Sequence, residues 1–289
     1  MSSATTAGGT TPPAVTLSGT AALTYGIRIE VNDVTGGTSR GQAKFRWSID
    51  NGATFAETGV LTAATYVLGS TGLTANFPAG TYANDNTYDA QSSSWLDLSG
   101  FNHDVSQATG GLQPLIRAGS GTPNIRFRGT AGHPDFLKSA AFTCSQPFAL
   151  GMVVTQPTYT AVSSHDVWFD GVGSVARAIV TASTTAGHIW SMYAGTEVNW
   201  ATTASTVAAT KTFIWTEWNG ASSIGRVHGS TVISGSTVGT GNISGLTLGA
   251  LSDGTRSCAI DVDEVVMCSQ INAIDRARWE NYAALHYGI

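Results

Sequence analysis

Alternation with a period of two governs this chain. In Leu23-Thr-Tyr25-Gly-Ile27-Arg-Ile29-Glu-Val31 every odd position is apolar and every even one is polar or glycine. Lys44-Phe45-Arg46-Trp47-Ser48-Ile49-Asp50 repeats the pattern. Successive side chains of a strand point to opposite faces, so such runs build sheets with one buried and one wet face. A helix, whose faces repeat every 3.6 residues, cannot satisfy them. Gly36-Gly37, Asn51-Gly52 and the glycines at 69 and 72 supply turns. About five to seven short strands fit between residues 15 and 88, which implies a small sandwich of immunoglobulin-like size.

Residues 84–94 are polar and read as a joint. Beyond them lies a long series of strand-like runs: Asn124-Ile-Arg-Phe-Arg128, 148–154, Ala178-Ile-Val180, 188–193, Thr212-Phe-Ile-Trp-Thr-Glu-Trp218, 226–233, 246–248 and 258–267. Gly-, Ser- and Thr-rich turns separate them, and so many strands imply a jelly roll or comparable sandwich. Composition agrees: charged residues are only 11% of the 289, and 34 are glycine, a surface suited to sheets and turns rather than helical bundles. Only the C-terminal stretch has helical spacing. Asn272 is its expected N-cap with Asp275 at N3, and Gly288 its stop. Trp279, Tyr282, Ala283 and His286 would share the seated face, leaving Arg276, Arg278 and Glu280 to water.

Several classes are disfavoured. A net charge of −5 without a Lys/Arg cluster argues against nucleic-acid binding. No apolar run approaches the ~20 residues of a spanning helix. The first ten residues, Met1-Ser-Ser-Ala-Thr-Thr-Ala-Gly-Gly-Thr, lack the basic start and apolar centre of a secretory signal, so either export is not used or a leader has been replaced. Residues 1–14, with nothing to bury, read as an arm, disordered unless a neighbour in an assembly holds it. Of the three cysteines, Cys258 and Cys268 sit at opposite ends of one run, roughly 33 Å apart if extended, beyond disulfide reach. Cys144 could pair with one of them; free buried thiols are the expectation.

Three segments of the second region carry a family resemblance. Trp95-Leu-Asp97-Leu-Ser99-Gly100 with Asn102-His103 is similar to a "W-x-D-x-S-G-x-x-H/N" opening. Pro123-Asn-Ile-Arg-Phe127-Arg-Gly129 is similar to a "P-x-h-x-F-x-G" strand, where h is apolar. Residues 258–267 with Asp275-Arg-Ala-Arg-Trp-Glu-Asn-Tyr282-Ala-Ala-Leu-His-Tyr287-Gly288 are similar to an "I-D-E-V" strand and closing helix. In this order, over about two-thirds of the chain, they resemble laminin-G-like, concanavalin-type jelly rolls. Such domains recur in bacteriophage virions and bacterial surface proteins. The first region resembles a β-module of phage structural proteins. Its Ser48-Ile-Asp50-Asn-Gly52-Ala-Thr-Phe55 matches the Asp-box of sialidase propellers, but occurs once where propellers repeat it. A hairpin turn is the expected role: Asp50 accepting N–H groups, Gly52 at positive φ, Phe55 plugging the fold.

The resemblance directs attention to Asp261-Val-Asp263-Glu264, since concanavalin-type glycosidases set two or three acids on one strand, with carboxyl groups ~5 Å apart in the retaining case. In a regular strand Asp261 and Asp263 share a face and Glu264 points the other way. No Glu occupies the first position of the glycosidase motif, so no catalytic residue is assigned. Ca²⁺ in loops is a family trait for which Asp97, Asn102, Asp104, Asp166, Asp170 and Asp253 could serve, but none has self-contained calcium-loop spacing; neither metal nor cofactor is assigned. The six His join no Ser-His-Asp or zinc pattern. Gly171-Val-Gly173 and the glycines of 235–245 lack a following helix and read as turns, not phosphate loops. Aromatic residues crowd 168–218. Of these, Trp190, Tyr193, Trp200 and Trp218 are the candidate platform for a glycan ring, with core packing as the competing role.

The expectation is therefore an all-β chain. An arm (1–14) and a small docking sandwich (15–88) precede a laminin-G-like jelly roll (89–289) closed by one helix. By resemblance it is a non-enzymatic bacteriophage virion surface protein: a capsid decoration, spike or tail component made in the host cytoplasm. Its partners would be other virion proteins, copies of itself as a homo-oligomer, and a host surface glycan, without nucleic acid or membrane insertion. The alternative is a carbohydrate-binding module of a bacterial surface or secreted protein.

Overall fold

The computed structural model describes residues 4–5, 12–20, 26–50, 52–90, 92, 94–117, 124–129, 134–155, 166–173, 179–183, 189–200, 210–269 and 272–289, with backbone alone at 4–5, 166, 179–183, 189–190, 199–200 and 236. Among the described residues the chain is all-β apart from short 3₁₀ turns and one C-terminal α-helix. It divides into two units, one of residues 1–92 with 109–111 and 115–125, the other of 93–108, 112–114 and 126–289. No helix among the described residues is long and apolar enough to cross a membrane.

In the first unit, five antiparallel strands run in the order Ala4–Thr5, Thr87–Asp89, Arg28–Asp33, Lys44–Ser48 and Glu57–Leu61. A second sheet has Thr16–Gly19, Leu73–Asn76 and Thr65–Val67. The expected alternation is present: Ile27, Ile29, Val31, Phe45 and Trp47 are buried. Phe45 meets Tyr66 of the other sheet edge-on at 5.2 Å. On the wet face the even positions pair across strands, Arg28 with Asp89 and Arg46 with Glu30. Exposed pairs of this kind add only about 0–1 kcal/mol each, but they fix register. Two expectations need correction. The arm is not wholly unpaired, because Ala4 and Thr5 lie opposite Tyr88 and Thr87. The alternation also ends before Ile49, which is 39% exposed while Ser48 is buried. Ser48 Oγ turns inward to accept the N–H groups of Asp50 (3.0 Å) and Gly52 (2.8 Å). Asp50 accepts from the Thr54 N–H (2.9 Å) and hydroxyl (2.6 Å), Gly52 has φ 88°, and Phe55 lies under the Arg46 guanidinium at 4.0 Å. The Asp-box is a self-contained turn.

The second unit is a sandwich. One eight-stranded sheet runs from Glu197–Trp200 at one edge through Ile189–Tyr193, Ile179–Ser183, Asp166–Asp170, Thr247–Leu248, Leu137–Ser139 and Val105–Ser106 to Ser94–Trp95 at the other. The facing sheet contains, as successive antiparallel neighbours, Ile260–Cys268, Phe148–Thr155, Lys211–Trp218, Ser223–Val227 and Ser230–Ser236. Between them Trp218 stacks on Phe148 (4.9 Å) and reaches Phe169 of the opposite sheet (6.1 Å). Phe148–Thr155 is buried along nearly its whole length. One of its faces looks into the sandwich and the other is covered by the terminal helix. Cys144 and Cys258 are buried thiols and Cys268 a half-buried one, none of them in a disulfide.

The helix Ala273–Tyr287 begins as expected, with the Asn272 side chain accepting the Ile274 N–H, and ends on Gly288 in the left-handed conformation. Its seat is rotated from expectation. Trp279 and Ala283 are buried, but Tyr282 and His286 face outward and stack on one another at 5.2 Å. Arg276 and Glu280 are not given to water: Arg276 pairs with Glu217 at 2.8 Å and Glu280 with Arg226 at 2.6 Å. Gly151 sets this seat, because any Cβ there would overlap the Trp279 indole. Gly151→Ala should therefore destabilise the protein by about 1–3 kcal/mol, as overpacking of a filled site does. Urea unfolding followed by Trp fluorescence measures it, and an unchanged midpoint would show that the helix is not seated there.

Candidate functional site

Asp261, Asp263 and Glu264 share the strand Ile260–Cys268, yet not in the expected way. Opposite them, Val154 pairs with Val262 while Val153 pairs with Glu264, so Asp263 is the extra residue of a β-bulge. A bulge shifts the parity of everything after it. Val153 packs under the helix, so its partner Glu264 faces that side as well. Asp261, opposite Thr155 two residues further on, lies on the same face. The expected opposition of Glu264 to the other two acids is thus cancelled by one inserted residue.

Each acid is engaged. Both Asp261 oxygens accept from the Arg126 guanidinium. Asp263 Oδ1 accepts from Lys211 Nζ at 2.6 Å, and that ammonium sits over the Tyr287 ring at 4.8 Å. Glu264 Oε2 accepts from the hydroxyls of Tyr282 (3.0 Å) and Tyr287 (2.9 Å). On the next strand but one, Glu217 Oε1 accepts from Trp215 Nε1 (2.7 Å) and Arg276 (2.8 Å). Burial raises the Asp263 pKa above the ordinary 3.8, the Lys211 bond partly opposing it. Burial and the Glu264 carboxylate push the Tyr287 phenol well above its usual range. The Asp263 side chain is fully buried and its second oxygen has no partner. Glu264 and Glu217 fasten the helix to the sheet, while Asp261 and Asp263 pair with other strands.

The aromatic candidates divide. Trp218 is completely buried and stacked on Phe148, so it belongs to the core and leaves the ligand-facing set. The parity of its strand explains this: Trp218 and Ile214 look into the sandwich, Trp215 and Glu217 toward the helix. Tyr193 is half-buried against Val167 and Leu251. The side chains of Trp190 and Trp200 lie outside the described residues. Their backbones are directly opposite in the antiparallel pair of Ile189–Tyr193 and Glu197–Trp200, the latter being the sheet's edge.

The "W-x-D-x-S-G-x-x-H" segment is a braced loop between the strands Ser94–Trp95 and Val105–Ser106. Asp97 accepts the N–H groups of Ser99 (2.8 Å) and His103 (2.9 Å), and its own N–H donates to Asp104 at 2.7 Å. Hydrogen bonding by the Ser99 side chain, then by these amides, holds the Asp97 carboxyl below its ordinary pKa. Gly100 and Asn102 supply positive φ. Elsewhere Asp170 accepts from Gly171 and Ser252, and Asp253 from Thr255. The Asp166 side chain lies outside the described residues. Among the described residues no three His, Cys, Asp or Glu side chains converge as metal ligands. Sequence reasoning passed over the apolar members of this loop, Leu96, Leu98 and Phe101. Apolar residues within an otherwise polar turn were the available signal, and the structure leaves all three exposed.

No family model and no curated protein matches this chain. Among solved structures it is similar to the sialidase of Trypanosoma rangeli in complex with sialic acid, at 16% identity and a TM-score of 0.49, over 68% of this chain and 32% of the sialidase. It is also similar to domain 4 of AbnA, a GH43 extracellular arabinanase from Geobacillus stearothermophilus, in complex with arabinotriose (11%, TM-score 0.42, 56% of this chain and 76% of that one). A third is the receptor-binding domain of botulinum neurotoxin type G (11%, TM-score 0.43, 66% and 51%). The chain thus spans about a third of the sialidase chain it matches.

The locked acids predict a pH signature. Because the folded-state pKa of Asp263 is raised, its contribution to stability is present in acid and is lost as pH rises from 3.8 through that higher value. Lys211 offsets the loss at neutral pH. Lys211→Met should therefore destabilise by about 3–5 kcal/mol at pH 7, less to the extent that water reaches the site, and by visibly less at pH 4. Urea midpoints of both proteins at the two pH values test it; an equal difference at both would remove Asp263 as the cause.

Proposed function

We propose that this chain is a non-enzymatic display protein of a bacteriophage particle surface, docking through its N-terminal unit and presenting the sandwich to host glycans. The observation that carries the non-enzymatic part is the fate of the acids. A glycosidase needs one carboxyl group free to give a proton and another free to attack or activate water. Here Asp261 is held by Arg126, Asp263 by Lys211 and Glu264 by two tyrosines. The resemblance of 95–103, 123–129 and 258–288 to virion jelly rolls supports the particle setting.

Glycan contact rests on the opposed pair Trp190 and Trp200 at the edge of the eight-stranded sheet. Two tryptophans adjacent across an edge hairpin suit stacking on a sugar ring, and edge loops are where sandwiches carry recognition. A glycan array probed with the full chain should give binding that Trp190→Ala and Trp200→Ala each reduce by about tenfold or more, equivalent to about 1.4 kcal/mol. The same glycans should not be cleaved. Hydrolysis that disappears in Asp263→Asn would sink the non-enzymatic reading, and binding untouched by either tryptophan change would sink the glycan site. The alternative home, a carbohydrate-binding module of a bacterial surface or secreted protein, makes the same binding prediction. Immunogold labelling of native particles separates the two.

A further inference from the structure

At the sheet edge opposite Glu197–Trp200, a groove of about 490 Å³ opens beside the Asp97 loop. Its size lies within the range of about 300–1,000 Å³ typical of small-molecule sites. Trp95, Val105, Phe142, Leu248, Val265 and Met267 are among its walls. Its lip is apolar as well: Leu98 is 95% exposed and Phe101 74%. A solvent-facing leucine and phenylalanine in one braced turn leave apolar surface exposed at the mouth of the groove, a feature that marks binding sites.

Two features narrow the occupant. Phe101, His103 and Phe142 form a near-parallel stack, with ring centroids 6.2 and 3.9 Å apart and planes within 16° and 17°. Aromatic faces carry negative potential and attract cations held over them. Among the described residues the charged members of the lining are Asp97 and Glu264, both acidic, with neither Lys nor Arg beside them. Asp97 is fixed by the Ser99 and His103 amides and the Ser99 side chain, while Glu264 is engaged by Tyr282 and Tyr287. His103 is the one further titratable group of the stack, and its backbone N–H belongs to Asp97. An anion entering here would meet a carboxylate and no cation. A neutral apolar molecule would gain the walls but not the rim.

We propose that this groove binds a small amphiphilic cation, a single aromatic ring or short apolar chain bearing one ammonium group. The apolar body would lie between Trp95, Leu248 and Val265, and the charge at the Asp97 rim beside Phe101. This site is separate from the tryptophan pair of the glycan reading, being at the other edge of the same sheet, and neither depends on the other.

The test is calorimetric titration of the full chain with three probes of one shape: phenethylammonium, phenethyl alcohol and 3-phenylpropionate. The cation should bind tightest and the carboxylate weakest, at least about tenfold apart at low salt, with the gap narrowing as salt is added. Thr143 is exposed and lines the groove, so Thr143→Lys adds a positive charge without touching the core. It should weaken the cation about tenfold and strengthen the carboxylate, since like charges repel over this distance. Phe101→Ala should weaken the cation without altering the near-ultraviolet circular dichroism of the folded protein. Equal binding of cation and carboxylate, a preference unmoved by Thr143→Lys, or no binding of phenethylammonium at millimolar concentration would each overturn the proposal.

Discussion

The bulge at Asp263 and the glycine at 151 together fix how the sandwich is closed. Gly151 leaves a bare patch of backbone on the central strand, and Trp279 fills it. The bulge turns Glu264 to the same side as Asp261 and Asp263, where Tyr282, Tyr287 and Lys211 wait. Without the bulge, Glu264 would point into the sandwich, and an ionised carboxylate would lie against Met152 and Val262 with nothing to pair it. Burying an unpaired charge costs several kcal/mol, more than the bulge loses in ladder hydrogen bonds. The irregular strand is therefore the cheaper structure for this sequence.

That arrangement also determines what the acids can do. Carboxylates in a hydrolytic cleft keep part of their lone pairs for substrate or water. Here the outer face of the sheet is capped by a helix whose own charges, Arg276 and Glu280, are drawn into cross-pairs with Glu217 and Arg226. Each pair is partly shielded from water, so each resists separation more than a surface ion pair would. The outer wall is a structural seal.

Much of this was legible beforehand, and the failures share one cause. Ile27, Ile29, Val31, Phe45 and Trp47 were readable because a regular strand obeys its period and nothing interrupts it. The caps at Asn272 and Gly288 were readable because they depend on local backbone chemistry alone. Ile49, Glu264 and Trp218 were misread wherever parity had to be carried past an irregularity or assigned to one of two apolar faces. Ser48 begins a turn that ends the alternation, Asp263 inserts a residue, and the strand of Trp218 is apolar on both sides. The rotated helix seat had no signal in the helix itself, since the vacancy that receives Trp279 is made by Gly151, more than a hundred residues earlier. The Asp97 motif was visible as a pattern, but its meaning as a brace required the Ser99 and His103 amides to be seen on the carboxylate.

Aromatic residues are what a sandwich must distribute between holding itself together and meeting something else. Trp168, Trp215 and Trp218 lie within the packed interior or under the helix, where shape excludes a partner. Other aromatic residues sit where a sheet stops, since an edge strand has a sheet neighbour on one side only. The pair Trp190 and Trp200 is at one such end and the stack built on Phe101 at the other. The Phe101 end is rimmed by the Asp97 carboxylate, whose ionised form the Ser99 and His103 amides favour, since a charged acceptor makes the stronger hydrogen bond. The bonds that brace the loop thus also favour the negative charge that any occupant of the groove would encounter.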